Sequence, residues 1–272
     1  LRHLTSVCNG PQPINLAMII AALEKHGVDP SSFTLQMPNA ILIEYTCVGR
    51  YIFPPTHGLR IATDVIEHTI RNQPNWVPIS VISAQLYAAR ANPVQELGFS
   101  FAIALEYLES VLKRGFDIDE VAPYFSFVTG IDMDFFEAVA KLRAYRKIWA
   151  RLMRERYGAK KRESLELKLI SSPGTMSMTL QQPLNNISRV TAQAMAGIFG
   201  GLQSMHTNGY DEVLSTPTEE AAKIAVATQN VLREEAHLVD VIDPLAGSFY
   251  VETLTNEMEE KILKICDLLN QA

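Results

Sequence analysis

The sequence predicts an α/β fold built from successive βα units, and three observations support this prediction. Short β-rich segments alternate with long amphipathic segments along the chain. Successive β-rich segments begin about 30 to 46 residues apart, which leaves room for a helix in each gap. Neighbouring strands should therefore be parallel, with right-handed crossovers. The pattern is typical of either a TIM barrel or a doubly wound sheet.

The β-rich segments number six rather than eight. They lie near residues 3–8, 33–36, 77–83, 124–129, 165–171 and 202–206. Six strands do not complete an eight-stranded barrel. The pattern therefore indicates that two strands are missing or are supplied by another chain.

Helical patterns fill the gaps between the predicted strands. They cover roughly residues 12–26, 58–72, 94–114, 132–157, 186–200, 218–235 and 253–269. In the fourth of these helices, an apolar face at helical spacing is formed by Phe135, Val139, Leu142 and Ile148. Glycines stand where helices should end, at Gly115, Gly158 and Gly200.

Composition limits the class of protein. The chain has 272 residues, of which 47% are hydrophobic and 20% charged, enough apolar material for one large core. The net charge is −6 and no basic run stands out, so a nucleic-acid partner is not expected. No uncharged apolar stretch approaches the roughly 18 residues of a membrane helix, so no membrane partner is expected.

The cysteines and the first residues bear on the compartment. Cys8, Cys47 and Cys266 lie far apart and follow no metal-binding spacing, so we expect no metal site and a reducing cytoplasm. The first ten residues lack an initiator Met and the apolar core of a signal peptide. A trimmed chain, or one whose true start is missing, is the expectation.

One segment offers candidate site residues by position alone. Residues 200–208, "GGLQSMHTN", end a predicted strand in Ser, His, Thr and Asn. In a βα barrel, polar residues at the C-terminal end of a strand face the active-site mouth. These side chains could equally do no more than hydrogen-bond the following loop. His206 cannot be paired with a nucleophile from the sequence.

A series of longer motifs resembles the methylmalonyl-CoA mutase family, the adenosylcobalamin-dependent mutases that rearrange the carbon skeletons of acyl-CoA substrates. The motifs are "YIFPP", "NPVQELGF", "FFEAVAKLRAYRKIWARLMRERYGAK", "TLQQPLNNISRV", "GGLQSMHTNGYDEVLSTPTEEAAKIA" and "DPLAGSFYVETLT". The resemblance covers nearly the whole chain. It implies a TIM-like (β/α)8 barrel that threads the pantetheine arm of CoA along its axis and meets cobalamin at its C-terminal mouth.

The resemblance also implies which parts of the family's protein are present. Residues 1–272 correspond to a single, partial barrel domain of about six βα units, with a C-terminal helical segment at 253–270. The first two barrel strands would precede residue 1. The D-x-H-x-x-G motif of the cobalamin-binding domain does not occur in the sequence. Adenosylcobalamin is therefore expected only if a partner domain or subunit supplies it, in a homo- or hetero-oligomer.

Five positions match residues that contact the substrate in the family. Thr34 and Gln36 resemble its acyl-CoA-contacting Thr and Gln. Ser126 and Ser204 resemble CoA-contacting serines, and His206 falls in the same "HTN" motif. The resemblance implies that Gln36, Gln85, Ser126 and Ser204 converge on one mouth or axial channel.

Several positions depart from the family pattern, and three of them are candidate site residues. Val48 stands where the family has the Arg that pairs with the substrate carboxylate. Gln85 stands where it has a His that hydrogen-bonds the thioester carbonyl, and Lys168 replaces another Arg. Gln85 can donate a hydrogen bond but cannot act as an acid, which makes it the candidate catalytic residue with changed chemistry. An acyl group with a second carboxylate would bury an unpaired charge unless Arg50, two residues after Val48, takes the place of the missing Arg.

Three functions are compatible with these departures. The chain could be a divergent acyl-CoA mutase component, an isomerase acting on a thioester other than methylmalonyl-CoA together with a cobalamin-binding subunit. It could be a non-catalytic structural subunit related to the mutase. It could also be a barrel with cobalamin-free chemistry on an acyl thioester.

Overall fold

Six parallel strands follow one another in chain order among residues 3–5 and 12–270, the residues that the computed structural model describes. They are β1 (His3–Thr5), β2 (Thr34–Gln36), β3 (Ile79–Ile82), β4 (Phe125–Ile131), β5 (Lys168–Pro173) and β6 (Ser204–Met205). β1 pairs with β2, and β3 to β6 form one sheet in that order. A bridge between Gln36 and Val77 joins the two groups. The α/β class and the parallel sheet are confirmed.

The register of the sheet places side chains in rows across the strands. One row contains Ser80, Ser126 and Lys168, and the next contains Ile82, Val128, Ile170 and Ser204. Side chains alternate between the two faces of a strand. Ile79, Val81, Phe125 and Phe127 accordingly point away from these rows, into the main hydrophobic core.

Eleven α-helices lie between and after the strands in the described residues. They are α1 (Pro13–His26), α2 (Ile41–Ile43), α3 (Pro55–Asn72), α4 (Ala84–Ala88), α5 (Pro93–Leu112), α6 (Ile118–Val121), α7 (Phe135–Arg151), α8 (Arg162–Leu165), α9 (Asn185–Phe199), α10 (Glu219–Asn230) and α11 (Phe249–Asn270). Single π-helical turns continue three of them, at Glu44–Val48, Leu152–Arg156 and Val231–Glu235. No helix among these residues has the length and apolar character to span a bilayer.

Local side-chain chemistry starts the main helices where the sequence allows it. Asn92 and Gln95 form a reciprocal capping box at α5, and Pro93 occupies the first helical turn. Asp134 accepts a hydrogen bond from the Glu137 amide at α7, and Thr218 caps α10 in the same way. These caps satisfy amides that the first helical turn leaves without partners.

Several predicted boundaries are wrong by a few residues. β6 covers only two residues of the predicted 202–206 strand, since the amide of Leu202 still bonds the Gly197 carbonyl at the end of α9. β5 begins at Lys168 rather than 165, because α8 precedes it. Of the predicted 3–8 strand, residues 6–8 lie outside the described part of the chain, as does Cys8.

The helices α5 and α7 cover the outer face of β4 through an aromatic cluster. The Phe127 ring centroid lies 6.2 Å from Phe101 on α5 and 5.2 Å from both Tyr145 and Trp149 on α7. The contacts of Phe127 with Tyr145 and Trp149 are edge-to-face, as is the contact of Phe101 with Tyr145, and ring quadrupoles favour this arrangement. All four side chains are buried, so the cluster fixes both helices against the sheet.

A buried ion pair links the same two helices beyond the aromatic cluster. Lys141 Nζ on α7 lies 2.9 Å from Glu96 Oε2 on α5, and both side chains are almost inaccessible to solvent. Glu96 also accepts from Thr129 Oγ1 at 2.7 Å, while Lys141 Nζ donates to the Gly130 carbonyl at 2.5 Å. The pair therefore joins α5, α7 and the C-terminal end of β4.

Replacing Lys141 by Met should strongly destabilise the fold. The change leaves the Glu96 carboxylate buried without its cation, which costs about 3–5 kcal/mol of unfolding free energy. Lys223→Met, which breaks a pair whose side chains are 74% and 84% exposed, is the matched control and should have little effect. Urea denaturation of both variants measures the difference. Adding Glu96→Gln to Lys141→Met should recover part of the loss; an unchanged midpoint for Lys141→Met would contradict this account.

Candidate functional site

The rows of side chains on the inner face of the sheet border a cavity of about 570 Å³. Its lining comes from β2 to β6 and from the segments that flank them. The lining residues are Gln36, Pro38, Val77, Ser80, Ile82, Gln85, Ser126, Val128, Lys168, Leu169, Ile170, Gln203 and Ser204. The strands thus bring together side chains that are up to 168 positions apart in the sequence.

A buried polar cluster forms one wall of the cavity. The Gln36 amide nitrogen Nε2 lies 3.0 Å from Ser80 Oγ and 3.3 Å from Ser126 Oγ. The two hydroxyl oxygens are 2.6 Å apart, and Ser126 Oγ also donates to the Ile79 carbonyl at 3.1 Å. Each member fixes the orientation of the others, so β2, β3 and β4 present a preorganised polar surface.

Gln85 stands at the C-terminal end of the strands. It belongs to the first turn of α4, three residues after β3 ends at Ile82. Its oxygen Oε1 is buried against the cavity and has no hydrogen-bond partner. A buried amide without a partner is costly, by about 1–3 kcal/mol. A ligand with a matching polar group would remove this cost, and the amide can offer either a donor or an acceptor.

Lys168 stands at the opposite end of the strands from Gln85. It is the first residue of β5, and its Nζ donates to the Pro123 carbonyl at 2.5 Å, just before β4 begins. Partial desolvation lowers the pKa of the Lys168 ammonium below its ordinary value. The cavity therefore has a neutral amide at one end and its ionisable group at the other.

A second cleft, of about 530 Å³, lies beyond Lys168 at the N-terminal ends of β3 to β5. Val77 and Lys168 line both spaces, so the two adjoin each other there. The cleft contains a second cation, Lys161, the rings of Trp76 and Tyr124, and three carboxylates, those of Asp119, Glu120 and Glu163. Cavity and cleft together form a route along the strands whose outer part carries both ammonium and carboxylate groups.

The structure brings five of the eight sequence-predicted site residues to the cavity: Gln36, Gln85, Ser126, Lys168 and Ser204. It does not bring the other three there. Thr34 is the exposed first residue of β2, and Val48 ends a π-helical turn with 38% of its surface exposed. His206 follows β6, where it is exposed and its amide bonds the Ser171 carbonyl at 2.9 Å.

Two lining residues with polar side chains were missed by sequence reasoning. Ser80 interrupts the apolar strand β3, and its position between Ile79 and Val81 on the alternating pattern was the available signal. Gln203 precedes β6, and its Oε1 accepts from the Leu169 amide at 2.7 Å, a contact with no sequence signature. Within the described residues, no group of three or more His, Cys, Asp or Glu side chains could hold a metal ion.

Comparisons with known proteins agree with the resemblance. The methylmalonyl-CoA mutase family profile matches residues 3–272. The chain is 40% identical over 254 residues to the 2-hydroxyisobutanoyl-CoA mutase large subunit of Aquincola tertiaricarbonis, covering 93% of this chain and 45% of that protein. It is 40% identical over 257 residues to methylmalonyl-CoA mutase of Escherichia coli K12, covering 94% of this chain and 36% of that protein. The chain thus spans less than half the length of these relatives, and it belongs to the methylmalonyl-CoA mutase family.

Proposed function

We propose that the chain is the thioester-binding component of an acyl-CoA mutase whose substrate has no second carboxylate. The observation that carries this proposal is the Gln85 side chain, whose oxygen Oε1 is buried without a hydrogen-bond partner against a cavity of about 570 Å³, at the C-terminal end of the strands. A thioester carbonyl is itself an acceptor and does not pair with this oxygen. The proposal therefore requires the amide to flip, so that its NH₂ group takes the place of Oε1 and donates one hydrogen bond to the carbonyl. The amide holds the carbonyl without exchanging a proton with it, because it does not titrate.

The two ends of the cavity differ chemically, and this difference sets the orientation of the bound ligand. The acyl group lies near Gln85, and the pantetheine arm runs past the Gln36–Ser80–Ser126 cluster towards Lys168. The phosphates of CoA then reach the cleft, where they pair with Lys161 and Lys168 although three carboxylates, those of Asp119, Glu120 and Glu163, line the same space. Amide and hydroxyl groups suit the pantetheine amides, and ammonium groups suit phosphates.

The position of the cations supports an acyl group without a second carboxylate. Lys168 is the ionisable group of the described cavity lining, and it lies at the end away from Gln85. The walls next to Gln85 are apolar, with Ile82, Val128 and Ile170 in one row. The relative from Aquincola tertiaricarbonis is named for 2-hydroxyisobutanoyl-CoA, whose acyl group carries a hydroxyl and no second carboxylate.

Adenosylcobalamin, on which the family depends, is proposed to come from a partner domain or subunit. The D-x-H-x-x-G motif, whose His ligates cobalt in the family, does not occur in the sequence. Adenosylcobalamin bound by such a partner supplies the radical chemistry. The residues of this chain are proposed to bind and orient the thioester. A homo- or hetero-oligomer with a cobalamin-binding subunit is part of the proposal.

Gln85→Leu should remove the preference for a thioester over a thioether. Isobutyryl-CoA has the carbonyl and S-isobutyl-CoA lacks it, so the ratio of their dissociation constants isolates the Gln85 contact. We expect a preference of about fivefold from one hydrogen bond, and a ratio near one in Gln85→Leu. Titration calorimetry measures both constants, with the exposed Gln181→Leu as control. Equal ratios in the native protein and in Gln85→Leu would refute the role of Gln85.

Dicarboxylic acyl groups should bind more weakly than neutral ones. Succinyl-CoA and methylmalonyl-CoA would place a carboxylate against the apolar row near Gln85, without a cation to pair with it. We expect each to bind at least about tenfold more weakly than isobutyryl-CoA, since the loss exceeds about 1.4 kcal/mol. Competition titrations on the native protein measure this. Tighter binding of either dicarboxylic thioester would contradict the proposal.

Lys168 should react with amine-specific acylating reagents at lower pH than an exposed lysine. Its lowered pKa increases the fraction of neutral, nucleophilic amine at any pH below the ordinary lysine value. Lys223, whose side chain is 74% exposed, is the internal control. Mass spectrometry of labelled peptides follows both residues, and isobutyryl-CoA should protect Lys168 and leave Lys223 unprotected. Labelling of Lys168 that is unaffected by this ligand would contradict the proposed direction of CoA.

A further inference from the structure

The carboxylate of Glu96 collects hydrogen-bond donors from three separate elements. Oε1 accepts from Ser83 Oγ at 2.9 Å, from Thr129 Oγ1 at 2.7 Å and from the Gly130 amide at 3.3 Å, while Oε2 faces Lys141. The side chain of Glu96 is fully buried. Ser83 joins β3 to α4, whereas Thr129 and Gly130 belong to the end of β4.

Ser83 occupies the N-cap position of α4, but its hydroxyl does not cap that helix. A serine at this position ordinarily accepts a hydrogen bond from an amide of the first turn. Here the hydroxyl is directed to Glu96 and to the Val128 carbonyl, at 2.9 and 3.1 Å. The Ser83 hydroxyl thus links the start of α4 to the buried carboxylate and does not cap the helix.

This attachment matters because Gln85 lies in the same turn. The oxygen of its side chain has no protein partner, so no contact at that atom holds the amide in position. Its direction depends on the backbone of α4, two residues after Ser83. Val128, whose carbonyl accepts a hydrogen bond from Ser83 Oγ, lines the same cavity as Gln85.

We propose that Glu96, held by Lys141, is a positioning residue that acts through Ser83 to aim Gln85 at the thioester carbonyl. The inference rests on the proposed binding of the thioester by Gln85. Stabilisation of the fold does not by itself explain a buried ion pair, because well-packed apolar residues of similar volume often stabilise a fold equally well or better. A charged acceptor with several fixed donors instead restricts the segments that supply them to one arrangement.

Ser83→Ala tests the inference with little disturbance of the ion pair. The change removes one hydroxyl and leaves Thr129, Gly130 and Lys141 on the carboxylate. Thr129→Val is the matched control, since it removes the other hydroxyl from the same oxygen, and that hydroxyl bonds Glu96 and the Gly130 carbonyl rather than Ser83. The readout on the native protein is again the ratio of dissociation constants for S-isobutyl-CoA and isobutyryl-CoA. A general loosening of the fold affects both ligands alike and leaves this ratio unchanged.

We expect Ser83→Ala to lower the ratio from about fivefold to less than about twofold, and Thr129→Val to keep it. The conservative variant Ser83→Thr retains a hydroxyl, so it should keep most of the native ratio. Adding Gln85→Leu to Ser83→Ala should cause no further loss, as for two residues that act through one contact.

The outcomes separate this inference from the proposed function. If Gln85→Leu leaves the ratio unchanged, the proposed binding of the carbonyl fails and the positioning role fails with it. If Gln85→Leu brings the ratio to about one but Ser83→Ala leaves it at the native value, the positioning role alone is overturned. Equal losses in Ser83→Ala and Thr129→Val would also overturn it, because the effect would then not pass through α4.

Discussion

The buried ion pair between Glu96 and Lys141 joins four parts of the molecule. Neither charge has water to stabilise it, so each depends on the other and on the surrounding donors and acceptors. Those groups come from Ser83, the end of β4, α5 and α7. These elements can hold the pair only in one relative arrangement. Ser83 immediately precedes α4, so in the proposed positioning role this arrangement also determines where Gln85 meets the cavity.

Parallel strands give the cavity two chemically different ends. All strands run in one direction, so residues that follow them, such as Gln85, gather at one end, and residues that begin them, such as Lys168, gather at the other. Between these ends, the register aligns Ser80 with Ser126 and thereby builds the polar wall. A long ligand with a neutral reactive end and a charged remote end matches this separation, as acyl-CoA does.

The sequence predicts the order of strands and helices well, because periodicity and spacing are properties of the chain itself. Glu219–Asn230 and Phe135–Arg151 lie within their predicted helical ranges. The short helices at Ile41–Ile43 and Ala84–Ala88 were missed, since segments of three to five residues carry no measurable period. The start of β5 was misplaced because Asp119, more than 40 positions away, bonds the amides of Lys160 and Lys161 and fixes a turn there.

Part of the candidate site could likewise be predicted from local sequence motifs, whereas the rest depends on contacts between residues far apart in the chain. Gln36, Ser126 and Ser204 were found because each stands in a motif that resembles the family's. The contact of Gln36 with Ser80 depends on strand pairing over 44 positions, which no local pattern encodes. Val48 occupies a family position yet lies outside the cavity, so its replacement of an Arg bears on the substrate less directly than Gln85 does. In the proposed function, an amide where an ionisable group is usual keeps the hydrogen bond and removes the proton, so that orientation is the remaining contribution of this side chain. Precise placement of Gln85 then matters more than its acidity, and the buried carboxylate behind Ser83 is the part of the fold that can provide it.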